Sequence, residues 1–122
     1  MGKEALILFF RLPARGTVKT RLETSLGQDI VYDLYSAFLS DILATCKKTR
    51  IDTILSFQPD PAAERLFENL LQTFDSFRQH GKDIGQRMFN ALADAFNTGY
   101  SQCVLMGSDI PHIPESYIRN AF

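Results

Sequence analysis

Apolar and polar positions alternate along the chain in two rhythms, one suited to buried strands and one to helices. Glu4 to Phe10 (EALILFF) is a short, nearly continuous apolar run, the pattern of a strand covered on both faces in a parallel sheet. From Gln28 to Lys48 the rhythm changes. Ile30, Leu34, Phe38 and Ile42 recur at every fourth position, flanked by Val31, Tyr35, Leu39 and Leu43, which predicts one long helix. Asp29 in its first turn and Lys47 and Lys48 in its last complement the helix dipole. Asp52 to Phe57 (DTILSF) is rich in β-formers and stops at Gln58-Pro59. Asp60-Pro61 then sets a capping residue before a proline at the first helical position, opening a helix that buries Leu66, Phe67, Leu70 and Leu71. A weaker strand is expected from Phe74 to Arg78. Asp83-Ile84-Gly85-Gln86 is a D-x-x-Q capping box, and Ile84, Met88, Leu92 and Phe96 hold one helical face until Gly99. Gln102 to Gly107 (QCVLMG) is a fourth strand, and Pro114-Glu115 opens a last helix.

Strict β-α alternation predicts a mainly parallel sheet with helices on both faces, because right-handed crossovers change sides where the strand order reverses. The expected order is 3-2-1-4, in a single domain spanning residues 1–122. Ligands in such sheets bind beyond the carboxyl ends of the strands at the switch point, here between strands one and four. That places two polar segments at the site, Leu12 to Arg21 and Ser108 to Pro111. Tyr117, Ile118, Ala121 and Phe122 form an apolar stripe with nothing after it to cover strand four. The expectation is a chain cut short, with an exposed edge through which two copies could pair as a homodimer.

Composition narrows the function. Thirteen Lys and Arg against fourteen Asp and Glu leave a net charge of −1, so there is no general basic field for nucleic acid or anionic lipid. The longest apolar run, Ala5 to Phe10, falls far short of the roughly 20 residues of a membrane span, and no cleavable signal pattern is present. A cytoplasmic location is expected. Cys46 and Cys103 show neither CxxC spacing nor a histidine in metal-ligand register, so both are expected to be reduced, buried thiols.

Against that neutral background the cations stand out locally. Arg11, Arg15, Lys19 and Arg21 put four positive charges within eleven residues, enough for a diphosphate, with Gly16 permitting close backbone approach and Thr20 beside them. Neither a Walker loop nor a G-x-G-x-x-G pattern is present. The alternative is a solvated basic turn. Asp109 follows the fourth strand between Gly107-Ser108 and Ile110-Pro111, where a carboxylate can hold Mg²⁺ or Mn²⁺ together with substrate phosphates; the alternative is a turn cap. In Gln79 to Arg87, Gly81 and Gly85 would let a flat ligand or phosphate approach backbone amides. Gln79 and Arg87 are candidates for ligand contact or for structural roles. His80 and His112 are read as solvent-facing. A Ser-His-Asp triad lacks a G-x-S-x-G elbow and is rejected.

Taken together, Leu12-Pro13-x-x-Gly16-x-x-Lys19-Thr20-Arg21-Leu22, Gln79-x-Gly81-x-Asp83-Ile84-Gly85-x-Arg87-Met88 and Gly107-Ser108-Asp109-Ile110-Pro111 resemble the DUF2064 family. These are glycosyltransferase A-like proteins, also called radical-SAM/selenodomain-associated transferase 1, within the nucleotide-diphospho-sugar transferase superfamily; some are labelled arsenosugar-biosynthesis glycosyltransferases. The Lys-Thr-Arg-Leu segment is also similar to that of phospholactate guanylyltransferases. The resemblance implies a Rossmann-like GT-A fold, three layers α/β/α, that binds a nucleoside diphosphate-sugar or a triphosphate through a divalent metal. It implies that Lys19 and Arg21 hold phosphates, that Gly16 gives the loop its approach, that Asp109 coordinates Mg²⁺ or Mn²⁺, and that Gln79 and Gly81 to Gly85 border the nucleoside. Two departures stand out. Pro111 occupies the third position of the Asp-x-Asp that many GT-A enzymes carry, and the downstream Asp-Gly-Gly-Tyr-like motif on the acceptor side is absent. The expected function is a metal-dependent transferase of glycosyl groups. The alternatives are a nucleotidyltransferase and a non-catalytic nucleotide-binding or dimerisation module.

Overall fold

In the computed structural model, residues 3–13, 27–107 and 115–122 are described. Four strands form one sheet: β1 (Glu4–Phe10), β2 (Asp52–Phe57), β3 (Asp75–Arg78) and β4 (Gln102–Gly107). Their spatial order is β3-β2-β1-β4, and every neighbouring pair is parallel, as the alternation predicts. The helices are α1 (Gln28–Thr49), α2 (Pro61–Leu66), α3 (Glu68–Thr73), α4 (Ile84–Asn97) and α5 (Glu115–Asn120).

The period-two alternation of β1 divides the core. Leu6, Leu8 and Phe10 face one side with Leu55 and Phe57, packed against Leu39, Ile42 and Cys46 of α1, Ala63 of α2 and Ile118 of α5. Ala5 and Ile7 face the other with Ile54, against Ala91 and Ala95 of α4. The crossovers β1-α1-β2 and β2-α2-α3-β3 run one way along the sheet and share the first face. The return from β3 to β4 takes α4 to the second, as right-handed connections require.

Three expectations about helix faces are corrected. On α1 the buried stripe is Val31, Tyr35, Leu39, Ile42 and Cys46, whereas Ile30 and Leu34 are 52% and 40% exposed. The predicted single helix after β2 is two short ones that meet at Phe67, whose φ of −109° and ψ of 23° break the first. Leu66 thereby turns outward, 75% exposed, while Phe67, Leu70 and Leu71 are partly buried against the core. On α4 the small residues Ala91 and Ala95 meet the sheet, and Ile84, Met88, Phe89 and Phe96 remain exposed. Alanine lets the helix sit close to the strands, so the larger side chains on its flank point past them.

Helix ends follow local chemistry. The Asp60 side chain accepts from Ala63 N at 3.2 Å and Glu64 Oε2 accepts from Asp60 N at 3.0 Å, fixing the start of α2 around Pro61. Asp83 caps α4 by accepting from Gln86 N at 2.8 Å. The return bond to Gln86 Oε1 comes from Lys82 N at 2.7 Å, one residue earlier than a standard capping box places it.

At the amino end of the sheet Tyr100, only 8% exposed, donates its hydroxyl to Asp52 Oδ2 at 3.0 Å. Burial, with the Asp52 carboxylate adding to it, pushes this phenol up to about 12. An acid whose pKa is higher folded than unfolded stabilises the fold while protonated. That contribution is complete below the ordinary phenol value of about 10 and is lost as pH rises toward 12. Tyr100→Phe should therefore flatten the alkaline fall in stability between those pH values, and at pH 8 it should cost about 1 to 2 kcal/mol for the lost bond. Urea unfolding at several pH values reads both, and an unchanged alkaline slope would contradict the assignment. Cys46 is fully buried and its thiol is pushed up to about 11 by desolvation. Cys103 is half-buried rather than buried, and burial raises its pKa too. Among the described residues no helix is long and apolar enough to cross a membrane.

Candidate functional site

Parallel strands bring every β-to-α connection to one edge, where peptide dipoles and free backbone groups face a common crevice. β1 and β4 are paired with Phe9 opposite Gly107, so the two strands end side by side. Gly16, Lys19, Thr20 and Arg21 on the first segment, and Asp109 and His112 on the second, lie outside the described residues. Gln79, Gly81, Gly85 and Arg87 are described.

Gln79 follows β3 and is only 8% exposed. Its Nε2 donates to two backbone carbonyls, Phe10 O and Ser56 O, both at 2.9 Å. Its own backbone N–H donates to Phe57 O at 2.7 Å. Both amide hydrogens of the side chain are thus engaged by the tips of β1 and β2. The Phe10 carbonyl also accepts from Gln58 N at 3.2 Å. One residue on, the Arg11 carbonyl accepts from the Tyr35 hydroxyl of α1 at 2.6 Å. The root of the cationic segment is therefore held from β2, from β3 and from α1.

The β3–α4 connection is tied down at nearly every residue. His80 O accepts from Asn90 Nδ2 at 2.8 Å and Gly81 O from Arg87 Nε at 3.3 Å. His80 Nε2 lies 2.9 Å from Asp94 Oδ2, so this exposed histidine has the carboxylate partner that its sequence surroundings lack. Gly81 has a φ of +141°, and a Cβ there would come within 2.9 Å of Arg87 N and 3.0 Å of Gln86 Cβ. The close approach it permits is of the loop to its own helix. Gly85 differs, since a Cβ would meet only Asp83 Oδ1 at 3.4 Å. Gly81→Ala should cost about 2 to 3 kcal/mol through backbone strain and overlap. Gly85→Ala should instead be neutral or stabilising by up to about 1 kcal/mol. Thermal unfolding of the pair reads the contrast, and equal melting temperatures would contradict it.

Tyr35, Asn90 and Asp94 are the residues at this edge that sequence reading missed. A tyrosine within an apolar helical stripe carries one signal, because a buried hydroxyl needs an acceptor. Asn90 and Asp94, four apart on α4, share a face toward the loop but stand far from it in sequence.

The carboxylates described at this edge have other duties. Asp60 and Asp83 cap helices, Asp94 pairs with His80, and no group of three or more metal-ligating side chains occurs among the described residues. The described residues do not by themselves build a metal cage. Away from the crevice, a shallow groove of about 450 Å³ runs along α2, α3 and the end of β3. Its charges alternate in sign, Glu64, Arg65, Glu68 and Arg78, with Arg78 and Glu64 paired at 2.8 Å. It shows no preference for an anion.

Comparison with known proteins gives a family and a structural relative. The family described as "Uncharacterized protein conserved in bacteria (DUF2064)" matches residues 42–122. A crystal structure from Desulfovibrio desulfuricans G20, named for a proposed activity as a nucleotide-diphospho-sugar transferase, superposes with a TM-score of 0.88 at 34% identity, covering 99% of this chain. The chain spans about half of that relative, 53% of its length. No curated protein matches.

Proposed function

The chain belongs to the DUF2064 family, and from that premise we propose that it binds a nucleoside diphosphate-sugar at the carboxyl edge of its sheet, as part of a metal-dependent glycosyl transferase. The observation that carries the reading is the shared fold with a relative named for nucleotide-diphospho-sugar transfer; the pairing of β1 with β4, the strands that precede Lys19–Arg21 and Asp109 in sequence, supports it.

In this reading Lys19 and Arg21 meet the diphosphate, with Gly16 and Thr20 beside them. Gln79, Gly81, Gly85 and Arg87 belong to the rigid connection that borders the nucleoside. Asp109, with the substrate phosphates, would hold Mg²⁺ or Mn²⁺, and such an ion neutralises charge that builds on the departing diphosphate. The protein's own cations, Lys19 and Arg21, stabilise the same charge.

A thermal-shift panel tests the reading. At a hundred times its Kd a ligand stabilises by about 2.7 kcal/mol, a shift of several degrees for a domain of this size. One of UDP-, GDP-, CDP- or dTDP-glucose is expected to raise the melting temperature in the presence of Mn²⁺. No shift with any of them would contradict it.

A second reading is favoured by the exposed Met88, Phe89 and Phe96 of α4 and by the unpaired outer edge of β4 among the described strands. It is a module that pairs with a second copy through this end of the sheet and turns nothing over. Light scattering separates the two, since a strict monomer with nucleotide-sugar turnover leaves the module no role.

A further inference from the structure

The bonds at the tips of β1 and β2 do more than close the sheet. Strand ends in a parallel sheet normally release their carbonyls to solvent or ligand, yet Phe10 O, Arg11 O and Ser56 O are all taken by side chains from elsewhere. Two of those carbonyls belong to consecutive residues, the last of β1 and the first beyond it. Fixing both holds the backbone at Phe10 and Arg11, where the chain leaves β1. The donors come from two different elements, Tyr35 from α1 and Gln79 from just beyond β3. Gln79 is buried and has both side-chain hydrogens committed to backbone, which leaves no donor for a nucleobase.

We propose that Gln79 and Tyr35 are positioning residues, a two-point clamp on the root of the cationic segment through which they govern affinity for the diphosphate without touching the ligand. This rests on the reading that the carboxyl edge binds a nucleoside diphosphate. It assigns Gln79 a role different from the nucleoside contact that its sequence position suggests. Displacing charged donors by an ångström can cost orders of magnitude in a preorganised site, so a clamp distant from the ligand has a measurable effect.

The test uses Gln79→Met, which keeps the length of the side chain and removes both donors, and Tyr35→Phe, which removes one hydroxyl on α1. Two readouts are needed. Amide hydrogen exchange at Gln58, whose N–H donates to Phe10 O, reports the clamp with no ligand present and should quicken in Gln79→Met. Calorimetry with UDP, GDP, CDP and dTDP, and with the corresponding nucleosides, reports its consequence. The expected result in both variants is about a tenfold loss for the diphosphate that wild type binds, with nucleoside affinity changed less than about twofold. Equal losses for nucleoside and diphosphate in Gln79→Met, with Tyr35→Phe unaffected, would make Gln79 a ligand contact and overturn the proposal. A lowered melting temperature with unchanged affinities in both would reduce the clamp to a structural role and overturn it as well. If Gln79→Met does not fold, Tyr35→Phe decides: a selective loss for the diphosphate supports the clamp, and unchanged affinity overturns it. Absence of binding by wild type would refute the functional reading itself, a result distinct from binding that survives both substitutions.

Discussion

Alanine at both Lys19 and Arg21 is expected to weaken binding of a nucleoside diphosphate by about 10²- to 10⁴-fold, since each charge-assisted contact contributes about 1.5 to 3 kcal/mol. The nucleoside alone should bind the double variant almost as it binds the parent. This selectivity follows from the charge pattern of the chain, whose net charge is −1 and which carries four cations between Arg11 and Arg21. A general loss of positive field would be screened by salt, whereas direct contact to two phosphates persists at physiological ionic strength. β1, the strand before these cations, ends beside β4 and is held at the consecutive carbonyls of Phe10 and Arg11. Titration of diphosphate and nucleoside into both proteins is the check. Equal losses for the two ligands would remove the cations from the phosphate site.

Asp109→Ala should abolish the dependence of nucleotide binding on Mn²⁺ while leaving the fold intact. Asp109 stands two residues beyond Gly107, the last residue of β4, which is registered with Phe9 near the tip of β1. Asp60 and Asp83 are engaged as helix caps, so they are poor substitutes for a lost metal ligand. Asp109→Asn, with nearly the same shape and no charge, separates loss of the ligand from loss of a turn. If Mn²⁺ strengthens binding to Asp109→Ala as much as to wild type, the metal is held elsewhere.

How much of this could be read from the sequence depended on which physical signal each residue carries. The strands were legible because a continuous apolar run bounded by Pro, Gly or Asp has few other uses. β1, β2 and β4 fall on their expected residues, and β3 starts one residue later. Alternation and handedness narrow the strand order without fixing it, and the expected 3-2-1-4 is the order found. Helix faces were harder, since α1 carries apolar residues on two adjacent stripes, Ile30-Leu34-Phe38 and Val31-Tyr35-Leu39. Period alone cannot choose between them, and contact with the sheet decides for the second. On α4 the large residues drew attention from Ala91 and Ala95, the pair that reaches the strands. At the site, position after β3 marked Gln79, but its burial and its two carbonyl partners arise from strands about 20 and 70 positions away, beyond any local pattern. The His80–Asp94 pair is invisible for the same reason. Gly81 was expected to let a ligand approach the backbone; the close neighbour in the structure is its own helix.

Calorimetric titration of UDP, GDP, CDP and dTDP and their glucose conjugates, each with and without Mn²⁺, tests the central claim most directly. The account predicts saturable binding of one base, as diphosphate and as sugar conjugate, strengthened by the metal. Heat no different from dilution for every ligand, with and without Mn²⁺, would contradict it.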